Sequence, residues 1–457
     1  MKKIMAVCLS LILCFSVIPV SIFAAETSGV FSSGVSWEYD SGSQTLSISG
    51  NGDIDDFKDL VSIPWKSYSK EIKNINISEG VTGIGDYALS WCENVTSIVL
   101  PSTVARIGVD AFGWCSNLKN ITLSDNLKTI DSEAFAWCKS LETIEIPANV
   151  NDIDSKAFLW CYSLESITVN SSNNKYKSFD GVLFDTEENS LVSYPPGKGN
   201  AEYTVPENIA EIEESAFMDN KILTGITIGN IKEIGDKAFF GCEKLYDINI
   251  LGVEEVGELA FYRCSSMVKI ILPENTRAVG KNAFKNCTNL ELAAFYGNDT
   301  KFDKDVFEGA SQAAIAGNEH SSVMKYANNN EIPFYQIVNV IYGGNNVNFD
   351  PMAFVVNNST TLVPMRAVFE MLGADVDWDE TSSTAIASKD GITISIQIGS
   401  SILYRNGEAI TLSEAGRLTA DKTYVPLRAV SEAFGNDVQW DGETAAVIIT
   451  VSYTHLT

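Results

Sequence analysis

Histidine is nearly missing from this chain: 457 residues contain two, His320 and His455. Metal centres and nucleophile–base pairs draw heavily on imidazole, so the material for either is thin. No Cys-x-x-Cys or His-x-x-x-His pairing occurs, and no glycine-rich phosphate loop; Gly343-Gly344-Asn345-Asn346 reads as a turn. Positive charge is also short. Against 59 Asp and Glu stand 32 Lys and Arg, a formal charge of −27, which excludes the phosphate neutralisation that nucleic-acid binding needs. No enzyme, no cofactor and no bound metal are the expectations.

Long apolar runs are missing as well, with one exception. Lys2-Lys3, an apolar stretch from Ile4 to Phe23 and the small pair Ala24-Ala25 make residues 1–25 a secretory leader. No other stretch approaches the ~20 apolar residues of a spanning helix, so the mature chain is expected to carry no transmembrane helix. The chain stops at Thr457 directly after a strand-forming segment, and a truncated product whose anchor is missing is the expectation.

Outside the leader, which holds Cys8 and Cys14, the remaining cysteines are Cys92, Cys115, Cys138, Cys161, Cys242, Cys264 and Cys287. An odd set cannot pair completely within one chain, and all of these stand at one place in a repeat. The Ala-Phe dipeptide marks it, at Ala111, Ala134, Ala157, Ala216, Ala238, Ala260 and Ala283, with Ala88-Leu89 before and Val306-Phe307 after. Between 157 and 216 the step lengthens; elsewhere it is 22 or 23 residues by those positions. Within one unit Leu118, Ile121, Leu123, Leu127 and Ile130 precede Ala134-Phe135 and Cys138. The next unit repeats the set as Leu141, Ile144, Ile146, Val150, Ile153, Ala157-Phe158 and Cys161. A unit this small cannot bury its own apolar side, so units must stack into a solenoid with those residues inside. The cysteines are then small, inward-facing fillers.

The fold class expected is a β-rich solenoid of short strands and turns, followed by a C-terminal α+β domain of two related halves. Residues 26–60 form an N-terminal capping hairpin from Ser36–Tyr39 and Thr45–Ser49. The solenoid runs over 61–335, with an enlarged rung at about 170–206 where Phe179-Asp-Gly-Val-Leu-Phe184 starts a hairpin. In 338–452, Val363-Pro-Met-Arg-Ala-Val368 recurs as Val425-Pro-Leu-Arg-Ala-Val430, each followed by a helix end at glycine and a Trp-Asp turn. That module is expected to fold alone, with Arg366 and Arg428 each paired to a local carboxylate.

The rung Leu-x-x-Ile-x-Leu-Pro-x-x-Val-x-x-Ile-x-x-x-Ala-Phe, with its proline at Leu100-Pro101, Ile146-Pro147 and Leu272-Pro273, resembles the BspA-type leucine-rich repeat of bacterial surface proteins. Asp180-Gly-Val-Leu-Phe and Tyr194-Pro resemble the enlarged rung of that family. The two Val-Pro-(Met/Leu)-Arg-Ala-Val motifs resemble a stalk domain named after the N-terminal region of copper amine oxidases. Copper chemistry in those enzymes uses three histidines and a modified tyrosine in a separate catalytic domain, and no such set exists here.

The first resemblance implies a secreted or cell-surface binding protein that adheres to extracellular or host proteins, with cell-envelope components as further partners. The alternatives are a targeting or assembly module for an exported enzyme system, or a structural envelope protein. Two sets of residues are candidate sites. The outward strand positions Lys119, Asn120, Thr122, Glu142, Thr143, Glu145, Ser166, Thr168, Tyr246, Asp247, Asn249 and Lys269 would present a polar concave face. Trp91, Trp114, Trp137 and Trp160 would form an aromatic strip, either stacked on one another near 5 Å or open to a glycan or peptide.

Overall fold

The computed structural model describes residues 26–357 and 359–450; the expected leader and the C-terminal tail lie outside them. Each rung contributes two short strands and a turn layer, and the alternation of the Leu-x-x-Ile-x-Leu segment makes the first of these strands. Its members Ser97–Val99 and Asn120–Thr122, then Thr143–Ile146 and Ser166–Val169, pair in parallel and in register, so Ile98 faces Ile121 and Ile144 faces Ile167. A second ladder of short strands joins Val81–Ile84, Arg106–Ile107, Thr129–Ile130 and Asp152–Ile153. On its outer surface Arg106 bridges three rungs, with Asp56 and Asp131 each at 2.9 Å and Asp86 at 2.5 Å.

The turn layer completes the rung. Backbone N–H groups there donate to the next rung, as in Phe112 to Ala134 O and Trp114 to Ala136 O, both 2.8 Å. This satisfies polar groups that burial would otherwise leave costly. Phenylalanines stack inside as two ladders, Phe112–Phe135–Phe158 and Phe217–Phe239–Phe261–Phe284–Phe307, with centroid steps from 4.8 to 5.7 Å. All seven cysteines outside the leader are buried and unpaired. Each from Cys115 onward directs its thiol at a carbonyl of the preceding rung: Cys138 Sγ lies 3.2 Å from Phe112 O and Cys161 Sγ 3.1 Å from Phe135 O. Burial pushes the Cys92 and Cys161 thiols up to about 12, so they are inert packing atoms rather than nucleophiles.

The N-terminal end is closed by the antiparallel pair Ser36–Asp40 and Thr45–Ser49, whose second strand runs parallel to Asn74–Ile77 of the first rung. Trp65 is fully buried beneath it and donates its indole N–H to Ala88 O at 3.0 Å. In the enlarged rung, Tyr176–Phe179 and Val182–Asp185 form a hairpin about Asp180-Gly181, both at positive φ (51° and 77°). Tyr176 Oη accepts the Ile153 N–H at 3.0 Å, occupying the ladder position that the second strand of an ordinary rung would hold.

At the other end the helix Ser322–Asn329, capped by Ser321, covers the last rung with Val323 and Ala327. The two halves of the C-terminal domain follow, each with a seven-residue helix, Met365–Met371 and Leu427–Ala433. Its separation from the solenoid is incomplete. Strand Phe334–Ile337 pairs in parallel with Ala314–Gly317 and antiparallel with Phe354–Val356, so one eight-stranded sheet runs from solenoid strand Lys269–Leu272 to Arg417–Thr419. Leu292, Ala294, Ala316 and Ile337 form a buried cluster with Met352 and Ala420 of the C-terminal domain. A boundary at 338 therefore leaves strand Phe334–Ile337, the partner of Phe354–Val356, on the solenoid side. In earlier rungs the outward strand positions are mostly polar, but here they are Leu292, Ala294 and Ala316, and a contiguous apolar outward surface favours a cover.

Candidate functional site

Nine of the twelve candidate residues stand on the longer rung strands, in two patches, and Lys119, Glu142 and Tyr246 each directly precede such a strand. Lys119, Asn120, Thr122, Glu142, Thr143, Glu145 and Thr168 are exposed, and Ser166 is half-buried. Tyr246, Asp247 and Asn249 are exposed and Lys269 half-buried on the later strands. Between the patches the ladder breaks. Gly181 O accepts from Ile167 N at 2.9 Å and Ser178 Oγ donates to Ile167 O at 2.5 Å, so the hairpin lies where the next parallel strand would pair. Lys198, itself buried, pins the hairpin tip by donating to Asp180 O at 2.5 Å and pairing with Asp180 Oδ2 at 3.0 Å.

The tip thus stands beside the earlier patch and carries Phe179, an exposed aromatic. Sequence reasoning identified the hairpin but not its consequence for the face. It also passed over Val99 and Leu251, which are exposed strand residues (67% and 62%) and add apolar contact area to each patch. Their signal was legible: each directly follows an inward isoleucine, Ile98 or Ile250, and strand alternation therefore turns it outward.

The tryptophans form a continuous stack. Ring centroids are 4.7 Å apart for Trp91–Trp114, 4.5 Å for Trp114–Trp137 and 5.0 Å for Trp137–Trp160, with planes within 22°. All four are half-buried. At one end Lys66 Nζ lies over Trp91 at 5.0 Å, and at the other Trp160 Nε1 donates to Asp219 Oδ2 at 2.7 Å. The internal ring faces are turned on one another, so the strip presents edges to solvent. A sugar or flat ligand packs on aromatic faces, which are available at most at the two ends.

Each of these tryptophans has a backbone φ between 59° and 63°. Left-handed backbone is unfavourable for a bulky residue by about 1 kcal/mol, and stacking of about 0.5–1.5 kcal/mol per pair offsets it. The same position holds Asp219, Gly241, Arg263, Asn286 and Gly309 in later rungs, all with positive φ. Glycine, asparagine and aspartate at those positions were the available signal for that conformation.

In the C-terminal domain, Arg428 Nη1 donates to Val438 O at 2.7 Å and lies 3.4 Å from Glu432. Arg366, its counterpart in the first half, has no ion pair among the described residues, so only one of the two expected local pairs forms.

The profile of the BspA type leucine-rich repeat region matches six copies over 65–182 and 199–314, together more than half of the chain. The chain belongs to the BspA-type leucine-rich repeat family. The profile of the copper amine oxidase N-terminal domain matches residues 341–449 of this BspA-type protein. No curated protein matches it significantly. Among solved structures, it is similar to a leucine-rich cell surface protein from Faecalibacterium prausnitzii, at 21% identity over 66% of this chain and 98% of that one, TM-score 0.51. It is also similar to the pneumococcal vaccine antigen PcpA, at 24% identity over 57% of this chain and 73% of that one, TM-score 0.50. At these identities the likeness establishes the solenoid fold.

The second profile raises copper, and the donor set does not fit it. Residues 341–450 contain neither histidine nor cysteine, and among the described residues no three His, Cys, Asp or Glu side chains converge as ligands. Imidazole and thiolate are the donors that suit copper. None of the three described α-helices is long and apolar enough to cross a membrane.

Proposed function

We propose that this BspA-type protein is a secreted, surface-associated, non-catalytic binding protein whose solenoid engages extracellular or host protein through its outward strand face. The observation that carries the reading is the pairing of a rigid interior with a solvated exterior on the same strands. Ile144 and Ile167 are buried while Thr143, Glu145 and Thr168 beside them are exposed, on a backbone ladder that fixes their spacing. Solenoids use such extended faces for protein recognition. The cell-surface and vaccine-antigen descriptions of two similar structures agree with it. A face of exposed polar side chains, with Phe179, Val99 and Leu251 as apolar anchors, suits a salt-sensitive interface centred on a few contacts.

Binding of the full chain to a panel of extracellular-matrix and envelope proteins tests the proposal. Glu142→Lys with Glu145→Lys, and separately Phe179→Ser, are expected to weaken binding at least about tenfold with thermal unfolding unchanged. Binding insensitive to both, or lost only in Trp114→Ala with Trp137→Ala, would remove the strand face from consideration.

A further inference from the structure

The two halves of the C-terminal domain meet at equivalent residues. Strands Thr360–Pro364 and Lys422–Pro426 run antiparallel with Val363 opposite Val425, and Leu362–Pro426 and Pro364–Tyr424 on either side. Val363 and Val425 occupy the same place in the repeat, as do Leu362 and Tyr424, and Pro364 and Pro426. The register therefore places a local two-fold axis between the valines. That axis relates two clefts. One, of about 650 Å³, is lined by Pro426, Arg428, Trp440 and, across the pair, Thr361. The other, of about 320 Å³, is lined by Pro364, Arg366, Trp378 and Thr423. The larger cleft gains a wall from the end of the solenoid, through Glu319, Met324 and Gln336.

Most of what recurs between the halves has a structural reason. The prolines enter the helices, Gly373 and Gly435 end them at positive φ, and Asp379 and Asp441 accept turn N–H groups at 2.9 and 3.0 Å. The arginine and the tryptophan lack a shared one. Arg428 holds Val438 O, whereas Arg366 makes no hydrogen bond or ion pair among the described residues. Trp440 is 46% exposed, and neither its indole N–H nor that of Trp378 meets a protein acceptor among the described residues. What the two copies share is the cleft.

We infer that these paired clefts bind a neutral polysaccharide, with Trp440 and Trp378 as stacking platforms and Arg428 and Arg366 as hydrogen-bond donors to sugar hydroxyls. Sugar C–H faces pack on an indole, and each hydroxyl both donates and accepts. The larger cleft offers both kinds of partner: the Arg428 guanidinium beyond the N–H held by Val438 O, the Thr361 hydroxyl, and the Gln336 amide and Glu319 carboxylate, which bond each other at 3.2 Å and keep further donor and acceptor positions. Local charge is near balance, with Arg366 and Lys422 facing Asp350, Glu370 and Asp421 in the smaller cleft. A polyanion would meet no excess of positive charge there and would be repelled by a chain of charge −27. A purely apolar ligand would strip water from the donor and acceptor positions these groups still have free, at a cost. Two equivalent clefts on one rigid unit suit a repeating polymer, whose second contact is intramolecular.

Affinity electrophoresis of the full chain through gels containing soluble β-glucan, mannan or oligo-N-acetylglucosamine tests this, with polygalacturonate and unfolded casein as the anionic and peptide alternatives. Retardation by at least one neutral glycan is expected. Trp440→Ala and Trp378→Ala should each weaken it at least about tenfold, and the double variant should abolish it. Trp440→Phe should retain most of it, showing that an aromatic face rather than local folding is required. Trp114→Ala, and Glu142→Lys with Glu145→Lys, should leave it unchanged, which separates this site from the solenoid face. No retardation by any neutral glycan overturns the inference. So does retardation unaffected by the double variant, or a cleft-dependent preference for polygalacturonate or casein.

Discussion

Glu291 Oε2 accepts the backbone N–H of Ala420 at 2.7 Å, a contact between residues 129 apart in sequence that ties a solenoid strand to the C-terminal domain. It lies beside the buried cluster of Leu292, Ala294, Ala316, Ile337, Met352 and Ala420. Presentation of the strand face is thereby fixed relative to the clefts of the C-terminal domain.

A fragment beginning at residue 338 loses strand Phe334–Ile337, and with it the partner of Phe354–Val356. It should unfold at lower denaturant than the same domain begun at 315, or fail to fold. Ala294→Asp, which buries an unpaired charge in the junction, should cost several kcal/mol. A fragment from 338 that matches the longer one in urea unfolding would show the shared sheet to be energetically idle.

Native protein without its leader should show almost no thiol reactive to Ellman's reagent, and about seven after unfolding. Cys138→Glu should destabilise the solenoid by several kcal/mol because the charge would be buried without a partner. Asn120→Ala, on the solvated face, should cost less than about 0.5 kcal/mol. Comparable losses in chemical unfolding would mean that inside and outside had been exchanged.

Stability should fall as pH rises from about 4.5 to about 7. Burial raises the Glu213 carboxyl from 4.5 to about 7, against a lowering hydrogen bond from Ser190. Burial, with the nearby Glu133 charge, raises Asp110 from 3.8 to about 6. The folded state binds these protons more tightly than the unfolded chain, so it is favoured below the unfolded values and loses that advantage as pH passes the folded ones. Glu213→Gln should then stabilise the protein at pH 7.5 by about 2 kcal/mol and change little at pH 4. Urea midpoints at the two pH values decide it; equal effects at both would contradict the burial assignment.

The tryptophan stack should give an exciton couplet in the far-ultraviolet circular dichroism that Trp137→Ala weakens, since that change isolates Trp160 and leaves only Trp91 and Trp114 stacked. The same variant should lose about 1–2 kcal/mol of stability. Trp137→Gly removes the same stacking but relieves the left-handed backbone, and should lose less than the alanine variant. An alanine variant as stable as the parent would show that stacking does not offset the backbone cost.

Spacing alone settled the interior. Ala134-Phe135, Cys138, Leu141 and Ile144 recur at a fixed step, and a repeat that cannot bury its own apolar side must stack. Local chemistry also marked the Asp180-Gly181 hairpin and the proline entries of the two C-terminal helices. The effect of that hairpin on the strand face had no local signature. The hairpin breaks the strand face into two patches because it lies against Ile167, and no residue in it announces that neighbour.

The same distinction holds at the junction and at the clefts. Sequence repetition identified two related halves, each with its Arg and Trp, because a repeated motif is visible without coordinates. Only the antiparallel register, Val363 on Val425, set those halves about a two-fold and brought Thr361 across to Arg428. Likewise Leu292, Ala294 and Ala316 read as ordinary rung residues until the C-terminal domain was seen to cover them. Periodicity determines which side of a strand faces inward, since that is a property of adjacent residues. What lies against the outward side depends on packing between segments far apart in the chain, and that was decided by tertiary structure.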